Sequence, residues 1–214
     1  MFYRNYAKRA LDVIAAATAL VVASPLLLLV ASLVAAKLGR PVLFSQERSG
    51  LGGRPFRMFK FRSMTDAVDA DGRLLPDAER LTRFGRMLRA SSLDELPELW
   101  NILKGDMGLV GPRPYVHAYH DRYNAEQRRR FAVRPGLTSW AMVNGRNALP
   151  WDEKLALDTW YSDRVSFALD LKIMAMTVLK VVRRDGASST GDLVVPEFMG
   201  TKAVDPSAPA EERR

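Results

Sequence analysis

Residues 13–36 read VIAAATALVVASPLLLLVASLVAA, a run with no charged side chain, broken only by Thr18, Ser24, Pro25 and Ser32. It is long enough to cross ~30 Å of hydrocarbon as a straight helix. Pro25 argues against a straight crossing: it removes a backbone donor in mid-run and its ring clashes with the carbonyl of Val21, so the helix kinks there. Ser24 is placed to bond back to a freed carbonyl, which makes the break tolerable in lipid. Basic residues flank both ends, with Arg4, Lys8 and Arg9 before and Lys37, Arg40, Arg48 and Arg54 after. Positive segments stay cytoplasmic. The pattern therefore favours a helix-break-helix that dips into one leaflet and returns. A single-pass anchor and a cleaved signal peptide are the alternatives; the run exceeds the ~7–15 residues of a signal h-region.

The remainder of the 214 residues has the length of one ordinary domain. No cysteine is present, which excludes a disulfide framework and a thiolate metal site. The formal net charge is +8, favouring anionic partners: phosphorylated substrates, anionic membrane lipids or nucleic acid. Few aromatics sit among the arginines, so a stacking platform for single strands is poorly supported and nucleic acid is not the expected partner.

After Gly39 the pattern changes. Val42–Glu47 and Arg54–Phe61, separated by Ser49-Gly50-Leu51-Gly52-Gly53, read as a β-hairpin. Residues 66–76 read as a loop. Thr82–Ala90 reads as a helix with Arg83, Arg86 and Arg89 along one face. Next comes Ser91-Ser92-Leu93-Asp94-Glu95-Leu96-Pro97-Glu98-Leu99-Trp100-Asn101. Ser92 and Glu95 fit a capping box, while Pro97 suits the first turn of a helix starting near Leu96. Either register puts the carboxylates Asp94 and Glu95 at a helix N-terminus, where backbone amides also favour a bound phosphate. Arg113, held between Pro112 and Pro114 in a stiff loop expected to lack regular structure, suits a phosphate clamp. Residues Asp121–Phe131 and Trp151–Tyr161 read as helices, and Asn144-Gly145-Arg146-Asn147 as a turn carrying a cation. Ser166–Arg184 reads as an amphipathic helix capped by Ser166, its apolar stripe (Phe167, Leu171, Met174, Val178, Val181) suited to a membrane surface or to a core. From Val204 the composition is that of a disordered tail.

Nine segments occur in an order that resembles the small monotopic phosphoglycosyl transferases, bacterial sugar transferases acting on a polyprenyl phosphate carrier. They are Lys8-Arg9-Ala10-Leu11-Asp12, Ser24-Pro25, Lys60-Phe61-Arg62-Ser63-Met64, Ser92-Leu93-Asp94-Glu95-Leu96-Pro97, Leu103-Lys104-Gly105-Asp106-Met107, Gly111-Pro112-Arg113-Pro114, Arg134-Pro135-Gly136-Leu137-Thr138, Val143-Asn144-Gly145-Arg146-Asn147 and Ser166-Phe167-Ala168-Leu169-Asp170.

The resemblance implies a mainly α protein with a small β-hairpin (α+β). It would comprise a re-entrant membrane helix hairpin over 1–39, a cytoplasmic catalytic domain with interfacial amphipathic helices over 40–186, and a tail over 187–214. Lys8, Arg9, Ser24 and Pro25 would belong to the membrane element, at the cytoplasmic face of the bacterial inner membrane. Asp94 would attack the β-phosphate of a UDP-sugar, release UMP and form a phosphosugar ester that undecaprenyl phosphate then takes over. Mg²⁺ would be the cofactor, with Asp94 and Glu95 as its candidate ligands and Glu95 helping to hold the metal or managing protons. Lys60, Arg62, Arg89, Arg113, Arg146 and Asp170 would line the substrate site. A homodimer is left open. Such chemistry needs positioning and charge neutralisation above all, and a carboxylate nucleophile divides a transfer between two anions into two steps. The lipid substrate leaves the bilayer only at ~0.8 kcal/mol per CH₂, so the enzyme must bring its site to the interface. Three positions depart from the family pattern: Glu98 replaces a usual Gln, and Ser139 and Met142 stand where Gly and Gln are more common.

Overall fold

The computed structural model describes residues 2–145, 148–183 and 197–200; Arg146, Asn147 and most of the expected tail lie outside the described residues. The apolar run forms α1 (Lys8–Val22) and α2 (Ser24–Leu38), bent by 64° at the break. Ser24 Oγ donates to the carbonyl of Val21 at 2.8 Å, the group that Pro25 deprives of its amide partner. No single described helix is long and apolar enough to cross a membrane.

The inner faces of this pair pack on the rest of the chain. Strands β1 (Leu43–Ser49) and β2 (Pro55–Phe61) form the expected antiparallel hairpin. Ala16 of α1 meets Met58 of β2 and Leu99 and Ile102 further along the chain; Val30, Val34 and Leu38 of α2 meet Phe61 and Leu88. The outer faces stay bare, with Val21, Val22 and Leu28 each more than 70% exposed.

Beyond the hairpin come α3 (Asp77–Arg80), α4 (Arg83–Ala90) and α5 (Glu98–Lys104). Thr82 caps α4 by accepting from the Gly85 amide. Gly85 lies so close to the Ser63 carbonyl that a Cβ would sit 1.8 Å from that oxygen, which fixes α4 against the end of β2. The loop expected to be irregular contributes β3 (Gly108–Val110), paired in parallel with β4 (Gly136–Thr138), so the protein has two small sheets rather than a lone hairpin. A Cβ on Gly136 would meet the Gly111 amide at 2.0 Å; the two glycines permit this approach.

The expected helix over 121–131 is broken. A 3₁₀ segment (His117–Arg122) is followed by α6 (Ala125–Arg128) and a second 3₁₀ segment (Arg129–Ala132). Asn124 and Gln127 form a capping box that starts α6 afresh. The chain continues through α7 (Trp140–Val143), α8 (Trp151–Asp163) and α9 (Phe167–Arg183). On α9, Ile173 is fully buried, whereas Phe167, Leu171, Val178 and Val181 are each more than half exposed. The apolar stripe read from the sequence therefore faces mainly outward.

Candidate active site

The carboxylate pair sits between α4 and α5 rather than at the start of α5. Ser92 adopts a left-handed backbone (φ 57°), and Leu93–Glu95 form a single 3₁₀ turn. The expected capping box is absent: Ser92 makes no side-chain cap bond. Glu95 reaches away from the local backbone instead, accepting from Lys60 Nζ at 2.6 Å and from Arg113 at 3.2 Å. Two cations outweigh one neutral amide as partners for a buried carboxylate.

Lys60 also contacts Glu98 at 3.1 Å. Three buried carboxylates, Asp94, Glu95 and Glu98, thus share the neighbourhood of Lys60 and Arg113. Glu95 takes the best of both cations. Burial alone would raise its pKa, but Arg113 and Lys60 override that and hold the carboxyl well below its usual range. The deficit falls on the other two. Burial, reinforced by the charge of Glu95, pushes Asp94 up, and Lys60 and Arg89 oppose this only partly. Burial also pushes Glu98 up, with Lys60 shared and Glu95 repelling. Among the described residues Asp94 has no ion-pair partner, although it is only 8% exposed. A buried carboxylate without an ion pair is costly; one near the basic side chains of Lys60 and Arg89 is set to meet a phosphorylated ligand or a metal.

A cavity of about 480 Å³ opens beside the dyad, lined by Ser92, Glu95 and Leu96 at one end and by α9 residues at the other. Beneath Arg113 lies a support that no local sequence signal announces. Arg130 is 1% exposed; it donates to Asp158 at 2.6 Å and also to the carbonyl of Arg113. Its guanidinium lies 4.6 Å from the Tyr115 ring and faces Tyr123 and Phe131 as well. Phe198 closes this cage, stacked on Tyr123. In sequence Arg130 is one of three consecutive arginines, and nothing distinguishes the buried one.

A family profile described as bacterial sugar transferase matches residues 3–184. The chain belongs to the bacterial sugar transferase family. It is 48% identical over 197 residues to an uncharacterised sugar transferase, EpsL, of Bacillus subtilis, covering 92% of this chain and 98% of that one. It is 43% identical over 191 residues to a UDP-glucose:undecaprenyl-phosphate glucose-1-phosphate transferase of Caulobacter vibrioides, covering 84% of this chain and 71% of that one. A Salmonella typhimurium undecaprenyl-phosphate galactose phosphotransferase is 36% identical over 201 residues, 86% of this chain and 42% of that longer relative.

Within this sugar transferase, the expected site residues divide into two groups. Lys60, Glu95 and Arg113 are directly linked. Arg89 donates to Ser63 Oγ at 2.8 Å and lies close enough to favour the Asp94 anion. Arg62 is tied down elsewhere: it donates to the carbonyls of Arg40 and Met64, each at 2.9 Å, and pairs with Asp66 at 2.6 Å. Its role here is to pin the loop after β2. Asp170 is also engaged away from the dyad. It accepts from Tyr3, Lys8 and Tyr161, each at 2.6 Å. Arg146 lies outside the described residues. Lys8 and Arg9, expected at the membrane, find protein partners: Lys8 in Asp170, and Arg9 in the carbonyls of Ile102 and Leu103 at the C-terminal end of α5.

Proposed function

We propose that this transferase moves a sugar 1-phosphate from a UDP-sugar to undecaprenyl phosphate, as its relatives' names describe for them, at the cytoplasmic face of the bacterial inner membrane. A carboxylate oxygen of Asp94 bonds to the β-phosphorus of the UDP-sugar. The bridging P–O bond breaks, and UMP leaves with the electron pair. An oxygen of undecaprenyl phosphate then bonds to the same phosphorus, and Asp94 departs as a carboxylate. The observation that carries this reading is a buried Asp94 with no ion-pair partner among the described residues, beside a Glu95 whose Oε1 already holds Lys60 and Arg113. Glu95 positions the two cations; Arg113 and Lys60 face the donor's phosphates; Arg89 favours the anionic form of Asp94.

Mg²⁺ fits this donor set. No group of three or more metal-binding acidic or histidine side chains occurs among the described residues. One or two carboxylates together with phosphate oxygens and waters are nevertheless what Mg²⁺ commonly takes, and Asp94 has an uncompensated charge to offer. When bound, Mg²⁺ neutralises the diphosphate and makes its phosphorus easier to attack.

A monotopic, re-entrant placement of α1 and α2 completes the proposal. Both ends of the pair are fastened to the same globular body: the start through Arg4 on the Ala132 carbonyl, Lys8 on Asp170 and Arg9 on α5, the end through Leu38 against Phe61 and Leu88. A segment anchored to one body at both ends enters and leaves a bilayer on one side. The bare outer faces of α1, α2 and α9 supply the apolar surface for it.

The test is UMP release from a panel of UDP-sugars with Mg²⁺ and undecaprenyl phosphate. Labelled phosphosugar retained on the wild-type protein, and absent from Asp94→Asn, supports the two-step route. Turnover without any trapped label favours a one-step transfer with Asp94 as metal ligand. Salt-sensitive lipid binding without UMP release from any donor would overturn the proposal altogether.

A further inference from the structure

We infer that the cavity between α1 and α9 seats the first isoprene units of the acceptor, which enter sideways from the lipid and deliver the phosphate to the dyad; the inference rests on the function proposed above. The cavity reaches from Glu95 and Ser92 to Met174, Val178 and Val181 of α9, with Ala19 of α1 also in its lining. Val178 and Val181 line it and yet are 63% and 54% exposed. The same side chains thus form the cavity wall and the bare outer surface, so an apolar chain passes between the two without crossing water.

The lining chemistry favours hydrocarbon along most of its wall. Most of it is aliphatic or thioether, and its volume lies within the ~300–1,000 Å³ of ordinary ligand pockets. The two threonines in the wall are spent on each other: Thr138 and Thr177 hydroxyls lie 2.7 Å apart, and Thr177 also bonds the Ile173 carbonyl at 2.8 Å. A nucleotide or a sugar in this space would leave its hydroxyls and ring polar groups without partners, which is expensive. Ser92 and Glu95 mark the dyad end, where a phosphate is needed, and Lys180 of α9 adds one cation to the wall. The donor must therefore approach the dyad from another side, and donor and acceptor reach Asp94 by separate routes.

Two measurements test this on the full chain in lipid nanodiscs. Filling the cavity with Met174→Trp or Val178→Trp should raise KM for undecaprenyl phosphate at least tenfold and change KM for the UDP-sugar less than twofold. A parallel rise in both constants, or no change for the acceptor in a variant that melts like wild type, would overturn the assignment. Should the variants fail to fold, the wild type answers alone. An undecaprenyl phosphate analogue with a diazirine in its first isoprene units should label peptides from residues 137–143 or 174–181. Labelling confined to other segments in an active enzyme defeats the inference while leaving the proposed reaction intact. A wild type that releases no UMP defeats the reaction first.

Discussion

Two buried clusters in this protein are built from the same parts, carboxylates and a lysine, and they behave as opposites. Around Asp170 each carboxylate oxygen is supplied: Lys8 and Tyr3 donate to one, Tyr161 to the other. Around Lys60 three acids crowd together, Glu95 Oε1 takes both Lys60 and Arg113, and Asp94 is left without an ion pair among the described residues. The first arrangement spends all its charge within the fold, tying α1 to α9 across 162 positions of sequence. The second leaves the charge of Asp94 unpaired, next to a Glu95 that lines a cavity. Buried charges are ordinarily paired, so a buried carboxylate without an ion pair marks where a ligand completes the set.

The sharpest break of this contrast is Asp94→Asn. Turnover should fall by about 10³-fold or more, as when a group acting in the transition state is removed. The melting temperature should stay within about 4 °C of wild type, because no ion pair is lost. Near-normal turnover would remove Asp94 from the chemistry.

Asp170→Asn should do the reverse. It breaks an ion pair whose members are 10% and 3% exposed and leaves buried Lys8 with only the more distant Asp12, at 3.8 Å. Such a loss costs about 3–5 kcal/mol, visible as a large drop in denaturation midpoint, while each molecule that remains folded should turn over substrate. A loss of turnover at unchanged stability would show instead that Asp170 belongs with the dyad.

The third prediction concerns pH. Burial pushes the Glu98 carboxyl up to about 7, with Glu95 adding to the rise and a shared Lys60 only partly opposing it. The folded chain therefore holds this proton more tightly than the unfolded chain, whose carboxyl titrates near its ordinary ~4.3. The stability from this group is complete below that ordinary value and is lost as pH rises through about 7. Glu98→Gln should abolish that decline and make the protein more stable than wild type at pH 8, by about 1–3 kcal/mol. Denaturant midpoints at pH 5 and pH 8 decide it; equal pH slopes for the two proteins would refute the reading.

What could be read in the chain follows the same division. The kink at Pro25, the hairpin around Gly50–Gly53 and the cap at Thr82 are local events, and each formed as its own residues dictate. The clustering of Glu95 with Lys60 and Arg113 was legible because the acidic pair is contiguous and these cations lie in recognisable segments. The errors arise where distant residues outcompete near ones. Glu95 forsakes the Ser92 amide for Lys60, 35 positions away. The resemblance implies Asp170 and Arg62 at the substrate site; in the fold they also pair with Lys8 and Asp66, which no local signal announces. Arg130 becomes the support of Arg113 only because Asp158 and three aromatic rings enclose it. The break at Asn124 was available from the Asn124…Gln127 spacing and was masked by the run of arginines that follows.

The smallest expected effect probes how the dyad is aimed. Ser92 is the one described non-glycine residue with positive φ, at 57°, two positions before Asp94. A left-handed residue other than glycine carries a strain of about 1–2 kcal/mol, and such strain persists where surrounding contacts impose it. Here the imposing contacts are the grip of Lys60 and Arg113 on Glu95 and the packing of Leu93 and Leu96 against the α2–α4 core. Ser92→Gly relieves the strain but loosens the unfolded chain, so the net change in stability should stay within about 1 kcal/mol of zero. If the turn is aimed by the grip on Glu95, turnover should fall only a few-fold, and adding Glu95→Gln to Ser92→Gly should cost more than the two single changes together. Strict additivity of the two substitutions in turnover would mean that the backbone at Ser92 aims Asp94 by itself.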